Sequence, residues 1–220
     1  MPQNPPIIAG TRIGHVHLKV ADLDRALGFY CGVLGFELMQ RMGSGAAFIS
    51  AGGYHHHIGL NTWESKGGHP PPPGTTGLFH TAILYPTRPA LADALYRVIE
   101  AGIELDGASD HGVSEALYLR DPDENGVELY RDRPKEEWPR APDGSLAMFT
   151  KRLDLEDLLR QRESVTPRSA EARSAVCESM RPWPDAPGLR CARAPQDEVL
   201  CARPRIMIST AAVSSTAMQP

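Results

Sequence analysis

GHVHLKVADLDRALGFYCGVLGFEL (residues 14–38) and FHTAILYPTRPALADALYRVIEAGIEL (residues 79–105) decide how this chain folds, because the same order of parts is written in both. Each opens with a histidine, His15 or His80, at the head of a strand-like apolar run. The period then becomes helical: Leu23, Ala26, Leu27 and Tyr30 share one face in the first segment, and Leu91, Ala94, Leu95 and Val98 in the second. A glycine, Gly35 or Gly102, closes each helix. Strand-like runs follow, AAFISAG (46–52) and YHHHIGLNT (54–62) after the first helix, SEALYLRD (114–121) and GVELYRD (126–132) after the second. The unit is strand, helix and about three strands, used twice. Its repetition predicts an α+β fold of two paired βαβββ modules forming a cupped mixed sheet.

The boundaries expected from this pattern are a flexible N-terminus at 1–11, a first module at 12–64 and a second at 78–134. Between the modules runs NTWESKGGHPPPPGTTG (61–77), whose four consecutive prolines make a stiff, extended connector centred on 65–77. Residues 135–161 form a C-terminal extension with Leu153, Leu155, Leu158 and Leu159 on a short helix. From about Gln161 the apolar periodicity gives way to Pro, Ala, Arg and Ser, so 162–220 reads as a disordered tail. With 41% hydrophobic residues and a formal charge of -4, the chain has no basic stripe that would bind nucleic acid. It has no apolar run of the roughly 18 residues that a membrane span needs, and no leader pattern at its start, so a cytoplasmic location is the default expectation. Cys31, Cys177, Cys191 and Cys201 form no C-x-x-C pair and are expected to be reduced, incidental thiols.

Two half-cupped sheets packed side by side would enclose one cavity, with matching positions facing inward from each. A single histidine at the start of a strand is usually a surface or capping residue; recurrence at equivalent positions is what singles out His15 and His80. A third group comes from DPDENGVELYRDRP (121–134). After the turn DENG, Val127 and Leu129 point one way while Glu128 and Tyr130 point the other. On a concave face Glu128 would join the two imidazoles; on a convex one it would be a solvated carboxylate, and both readings stay open at this point.

Four stretches in this order resemble the vicinal oxygen chelate superfamily of glyoxalases, ring-cleaving dioxygenases and resistance proteins: H-x-x-L-x-V-x-D (His15 to Asp22), FYCGVLGF (29–36), FHTAIL (79–84) and DPDENGVELY (121–130). The resemblance covers roughly residues 10 to 150 and is nearest to the catechol 2,3-dioxygenase-like members. It implies a single metal site inside the cup, with His15, His80 and Glu128 as ligands. Such a two-histidine, one-carboxylate face suits iron(II) with open coordination positions, and manganese as well. Glyoxalase I members typically add a fourth ligand, commonly glutamate, from the closing strand of the first repeat. YHHHIGLN has no carboxylate there, which leaves His57 as an additional ligand candidate.

Ring-cleaving members instead resemble His56-His57-Ile58-Gly59-Leu60, which makes His56 the counterpart of their acid–base histidine, and HGVSEALYL (111–119), where His111 and Tyr118 would reach substrate oxygens. Strict alternation groups His57, not His56, with Gly59 and Asn61, opposite Ile58 and Leu60. The motif favours His56 and the alternation His57; a solvated histidine-rich edge is the plain alternative to both. The resemblance therefore implies an iron(II)-dependent extradiol dioxygenase that takes a small aromatic diol and dioxygen. A glyoxalase-type lyase or isomerase, a thiol transferase of the fosfomycin-resistance kind and a small-molecule-sequestering resistance protein are the alternatives. Whether a homodimer completes the cavity stays open.

Overall fold

The structure, a computed structural model, describes residues 5–162. The expected disordered tail, save Arg162, and Cys177, Cys191 and Cys201 lie outside the described residues. The described residues divide into two compact units, one formed by residues 5–77 with Pro122–Glu124 and one by 78–121 with 125–162.

In the first unit, strand β1 (Val16–Lys19) leads into helix α1 (Leu23–Leu27), followed by β2 (Glu37–Met42), β3 (Ala46–Ser50) and β4 (Ile58–Asn61). The sheet order is β1-β4-β3-β2, with β1 parallel to β4 and the other pairs antiparallel. Helix α1 starts where Asp22 accepts a hydrogen bond from the Arg25 amide, 2.8 Å away, satisfying a donor that the first turn would leave orphaned. It passes directly into a wider π-helical turn over Gly28–Val33. Gly35, at φ +87°, then reverses the chain in the left-handed region where a side chain would be strained. Leu23, Ala26, Leu27 and Tyr30 are all buried, as their spacing requires, and so are Leu18, Ile49, Ile58 and Leu60 of the sheet.

The second unit repeats this plan with β5 (Thr81–Leu84), α2 (Arg88–Glu100), β6 (Leu105–Asp110), β7 (Ser114–Arg120) and β8 (Gly126–Asp132). Its order is β5-β8-β7-β6, again with the first strand parallel to the last. Thr87 caps α2 by accepting from the Ala90 amide, and Pro89 sits in its first turn, where no amide donor is needed. Leu91, Ala94, Leu95 and Val98 are buried against Leu117, Leu119, Val127 and Leu129 of the sheet. Even the irregularities repeat: the register slips between Leu38 and Gln40 in β2, and between Leu105 and Gly107 in β6. After β8 the chain returns to add a short strand β9 (Lys151–Arg152) outside β6, then forms helix α3 (Leu155–Arg160), which buries Leu158. The two βαβββ modules are thus present, each as a mixed sheet with its helix on one face. Among the described residues no helix is long and apolar enough to cross a membrane.

One local expectation is corrected. YHHHIGLNT was to be a strand throughout, yet β4 begins only at Ile58, and His55, His56 and His57 lie in the bend before it. The physical reason is the Gly52–Gly53 turn, both residues at positive φ (+71° and +79°), which brings the chain back toward β3 and leaves the triplet off the regular ladder. Only His57 makes ladder-like bonds, its amide donating to the Ile49 carbonyl and its carbonyl accepting from the Val16 amide.

Candidate metal centre and its hydrogen-bond chain

In the second unit the site grows out of strand pairing. Tyr118 of β7 stands directly opposite Glu128 of β8, and Glu128 is in turn the cross-strand partner of Ala82 on β5. Alternation places side chains two residues apart on the same side, so His80, two residues before Ala82, joins Glu128 and Tyr118 on the face turned away from Val127, Leu129 and the helices. His80 Nε2 lies 2.9 Å from Glu128 Oε2, with only 13% of the Glu128 side chain exposed. The His80 Nδ1 atom is buried and has no partner.

Tyr118 faces Glu128 across the β7–β8 pair. Burial first, and then the neighbouring Glu128 carboxylate, push the phenol up to about 12. On its other side the Tyr118 hydroxyl lies 2.8 Å from His111 Nε2, and His111 Nδ1 is 3.1 Å from the Thr150 hydroxyl. Four of the residues singled out from sequence, His80, Glu128, Tyr118 and His111, are therefore brought into one connected set.

In the first unit His15 sits just before β1, exposed, and its ring is 4.5 Å from that of His56. His56 also lies 5.0 Å from the Phe48 ring, and its Nδ1 is 2.8 Å from His55 Nδ1. Burial first, then the positive charge of His15 and of the other neighbouring histidines, lowers its pKa below the ordinary histidine value. His57 turns the other way. Its Nδ1 accepts from the Ala51 amide at 3.3 Å and lies 3.0 Å from the Ser50 hydroxyl, and its ring stacks on Tyr54. The ring that keeps company with His15 is thus His56.

Sequence reasoning missed two features of these surroundings. His17 rests its imidazole on Gly59, where a Cβ would come within 2.9 Å of His17 Nδ1, and lies between the rings of Phe48 (6.0 Å) and Trp63 (5.5 Å). Burial and the nearby His15 lower its pKa. Counting two residues on from His15 would have found it. Thr150, by contrast, comes from outside both repeats, and nothing in its local sequence marks it. Among the described residues no three His, Cys, Asp or Glu side chains form one group able to hold a metal: His80 and Glu128 are paired in the second unit, while His15 belongs to the first.

Comparison with known proteins supplies the remaining observations. A family model described as Glyoxalase/Bleomycin resistance protein/Dioxygenase superfamily matches residues 12–129. Catechol-2,3-dioxygenase of Bacillus subtilis (strain 168) is 42% identical over 152 residues, covering 69% of this chain and 52% of that protein. Biphenyl-2,3-diol 1,2-dioxygenase 3 of Rhodococcus globerulus is 35% identical over 123 residues, 55% of this chain and 63% of that protein. The chain thus spans about half the length of the first of these relatives and under two thirds of the second. Among solved structures, the lactoylglutathione lyase of Agrobacterium tumefaciens aligns over 56% of this chain and 96% of its own, at 22% identity and a TM-score of 0.45. A glyoxalase/dioxygenase from Nostoc punctiforme aligns over 60% and 99%, at 20% identity and a TM-score of 0.48.

Proposed function

The chain belongs to the glyoxalase/bleomycin resistance protein/dioxygenase superfamily, and from that premise we propose that it is a metal-dependent extradiol dioxygenase, opening the ring of a catechol-like diol with dioxygen. The observation that carries the reading is the convergence on Glu128 of an imidazole and a phenol that is itself tied to a second imidazole. This set lies within residues 12–129, the stretch matched by the family model, and relatives of the chain are named as catechol and biphenyl-diol dioxygenases.

Iron(II), or manganese(II), would be held by His80 and Glu128 together with His15. Of these, His80 and Glu128 suit such an ion in kind, offering a nitrogen and an oxygen donor side by side, with Nε2 and Oε2 2.9 Å apart. One carboxylate leaves a divalent ion with net positive charge, and its contribution when bound is to favour the ionised diol and to activate dioxygen.

The chain's own groups do the rest. His111 and Tyr118, hydrogen-bonded to each other beside the Glu128 carboxylate, would hold and orient a diol oxygen that exchanges into this set. His56, whose lowered pKa keeps it neutral near pH 7, first takes a proton from the diol and later returns it as the ring opens. The glyoxalase-type alternative has less support, because His57 Nδ1 accepts from the Ala51 amide, which puts the ring's proton on Nε2 and leaves neither nitrogen with a free lone pair for a metal.

The test is anaerobic loading of the full chain with iron(II), followed by metal analysis and oxygen uptake with catechol. Glu128→Ala is expected to lose most of its iron and its oxygen uptake, while Glu104→Gln, an exposed position, keeps both. Parent-like iron content and oxygen uptake in Glu128→Ala would overturn the assignment.

A further inference from the structure

We propose that Thr150, on the segment after the second module, is a positioning residue that fixes the ring orientation of His111 and holds it to a single tautomer, with Nε2 turned to Tyr118. The inference deepens the reading given above and rests on it for its catalytic consequence, but its geometric core stands apart from any activity.

Two contacts set the geometry. His111 Nε2 lies 2.8 Å from Tyr118 Oη, and His111 Nδ1 lies 3.1 Å from the Thr150 hydroxyl. A neutral imidazole carries one N–H, so one of its nitrogens donates and the other accepts, and a hydroxyl on either side can take the complementary part. The ring is thus gripped at both nitrogens, between Thr150 and Tyr118. A ring held at one nitrogen can turn over; one held at both cannot do so without breaking two bonds.

The hydroxyl is in turn fixed by its neighbours. The Phe149 amide donates to the His111 carbonyl, and the Phe149 ring fills the space over Gly112, which stands at φ +77° and has no room for a side chain. Directly after Thr150, β9 pairs with Ser109 and Asp110 of β6, and the Leu153 amide donates to the Ala108 carbonyl. Thr150 therefore lies between two anchored residues and reaches His111 with little further ordering, although it is exposed enough for water to compete.

The experiment compares Thr150→Val, which keeps the shape and removes the hydroxyl, with Thr150→Ser, which restores it. Long-range nitrogen–proton NMR on the full chain without added metal reads the two ring nitrogens of His111. The parent and Thr150→Ser are expected to show a single ring tautomer with a hydrogen-bonded Nδ1, and Thr150→Val to lose that signature. On the iron-loaded protein, kcat with catechol is expected to fall about 3- to 10-fold in Thr150→Val, with melting temperature and iron content unchanged, and to recover in Thr150→Ser. Identical nitrogen spectra in parent and Thr150→Val would overturn the proposal, and so would a loss in kcat that serine does not restore. A change in the spectra in a protein that never consumes oxygen with any diol would support the positioning role while sinking the dioxygenase reading.

Discussion

Gly126 shows how narrowly one residue can be prescribed. A Cβ there would run into the carbonyl oxygen of Phe79 and stand 3.1 Å from the His80 Cα, so β8 approaches the head of β5 as closely as backbone allows. Gly126→Ala is expected to push the Phe79–His80 backbone aside. The cost should be about 1–3 kcal/mol, as for other forced overpacking, read from urea unfolding together with weakened metal retention; an unchanged midpoint and metal content would contradict it. The histidine triplet gives a second prediction at this scale. His56→Phe should keep iron while slowing turnover by about 10²- to 10⁴-fold, the usual worth of a lost general acid. His57→Phe should mainly loosen the Gly52–Gly53 turn and leave most of the activity, and steady-state oxygen uptake on the two variants decides between them. The sequence held both sides of this choice. The alternation argument presumed a regular strand, and two consecutive glycines had already ended regularity before His55. The motif does not depend on strand geometry, and the ring beside His15 is that of His56, the residue it favours.

At the scale of elements, amphipathic pieces were legible and polar ones were not. Both helix faces, β3 and the Val127–Leu129 face of β8 follow from apolar spacing, since burial drives their formation. Strands β2 and β6 escaped notice for a common reason. β2 (ELMQRM) is exposed at every residue, β6 (LDGASD) carries two aspartates and a glycine, and each is bent by a register slip near its start. Their pairing is held by backbone bonds that leave no side-chain pattern. The π-helical turn was likewise invisible in the sequence, and it carries a testable consequence. Cys31, on that turn, has its thiol pushed up to about 11 by burial. At pH 8 about 10⁻³ of it would then be thiolate, against roughly a quarter of an unperturbed thiol. Iodoacetamide should modify the Cys31 peptide about two orders of magnitude more slowly in native than in urea-unfolded protein, as followed by mass spectrometry; equal rates would show the thiol to be accessible and ordinary.

Across the whole described chain the decisive fact is duplication. Matching topology, matching helix faces and even matching bulges come from one plan used twice, which is why an internal repeat revealed more than any single motif. What duplication could not reveal is what differs between the copies. The second copy alone buries a carboxylate, Glu115, on the helix side of its sheet. Arg88 of α2, Arg131 of β8 and Arg133 just beyond it all reach that carboxylate, at 2.8 to 3.2 Å. Glu115→Ala would leave three guanidinium groups facing one another. The expected loss lies at the lower end of the about 3–5 kcal/mol typical of a broken buried ion pair, because the arginine side chains keep 13–24% exposure. Chemical denaturation measures it, and a loss below about 1 kcal/mol, the value of a surface pair, would show the cluster to be solvated. The late return of β9 to cover β6 bears on how the chain is made. A nascent polypeptide leaves the ribosome N-terminus first, and at typical speeds the interval between synthesis of β6 and of β9 is about 2–8 s. During that time the outer margin of the second sheet is bare backbone, able to pair with any passing strand. Asp106 and Asp110 on β6 put negative charge along that margin, which discourages a stray strand from pairing there before β9 arrives.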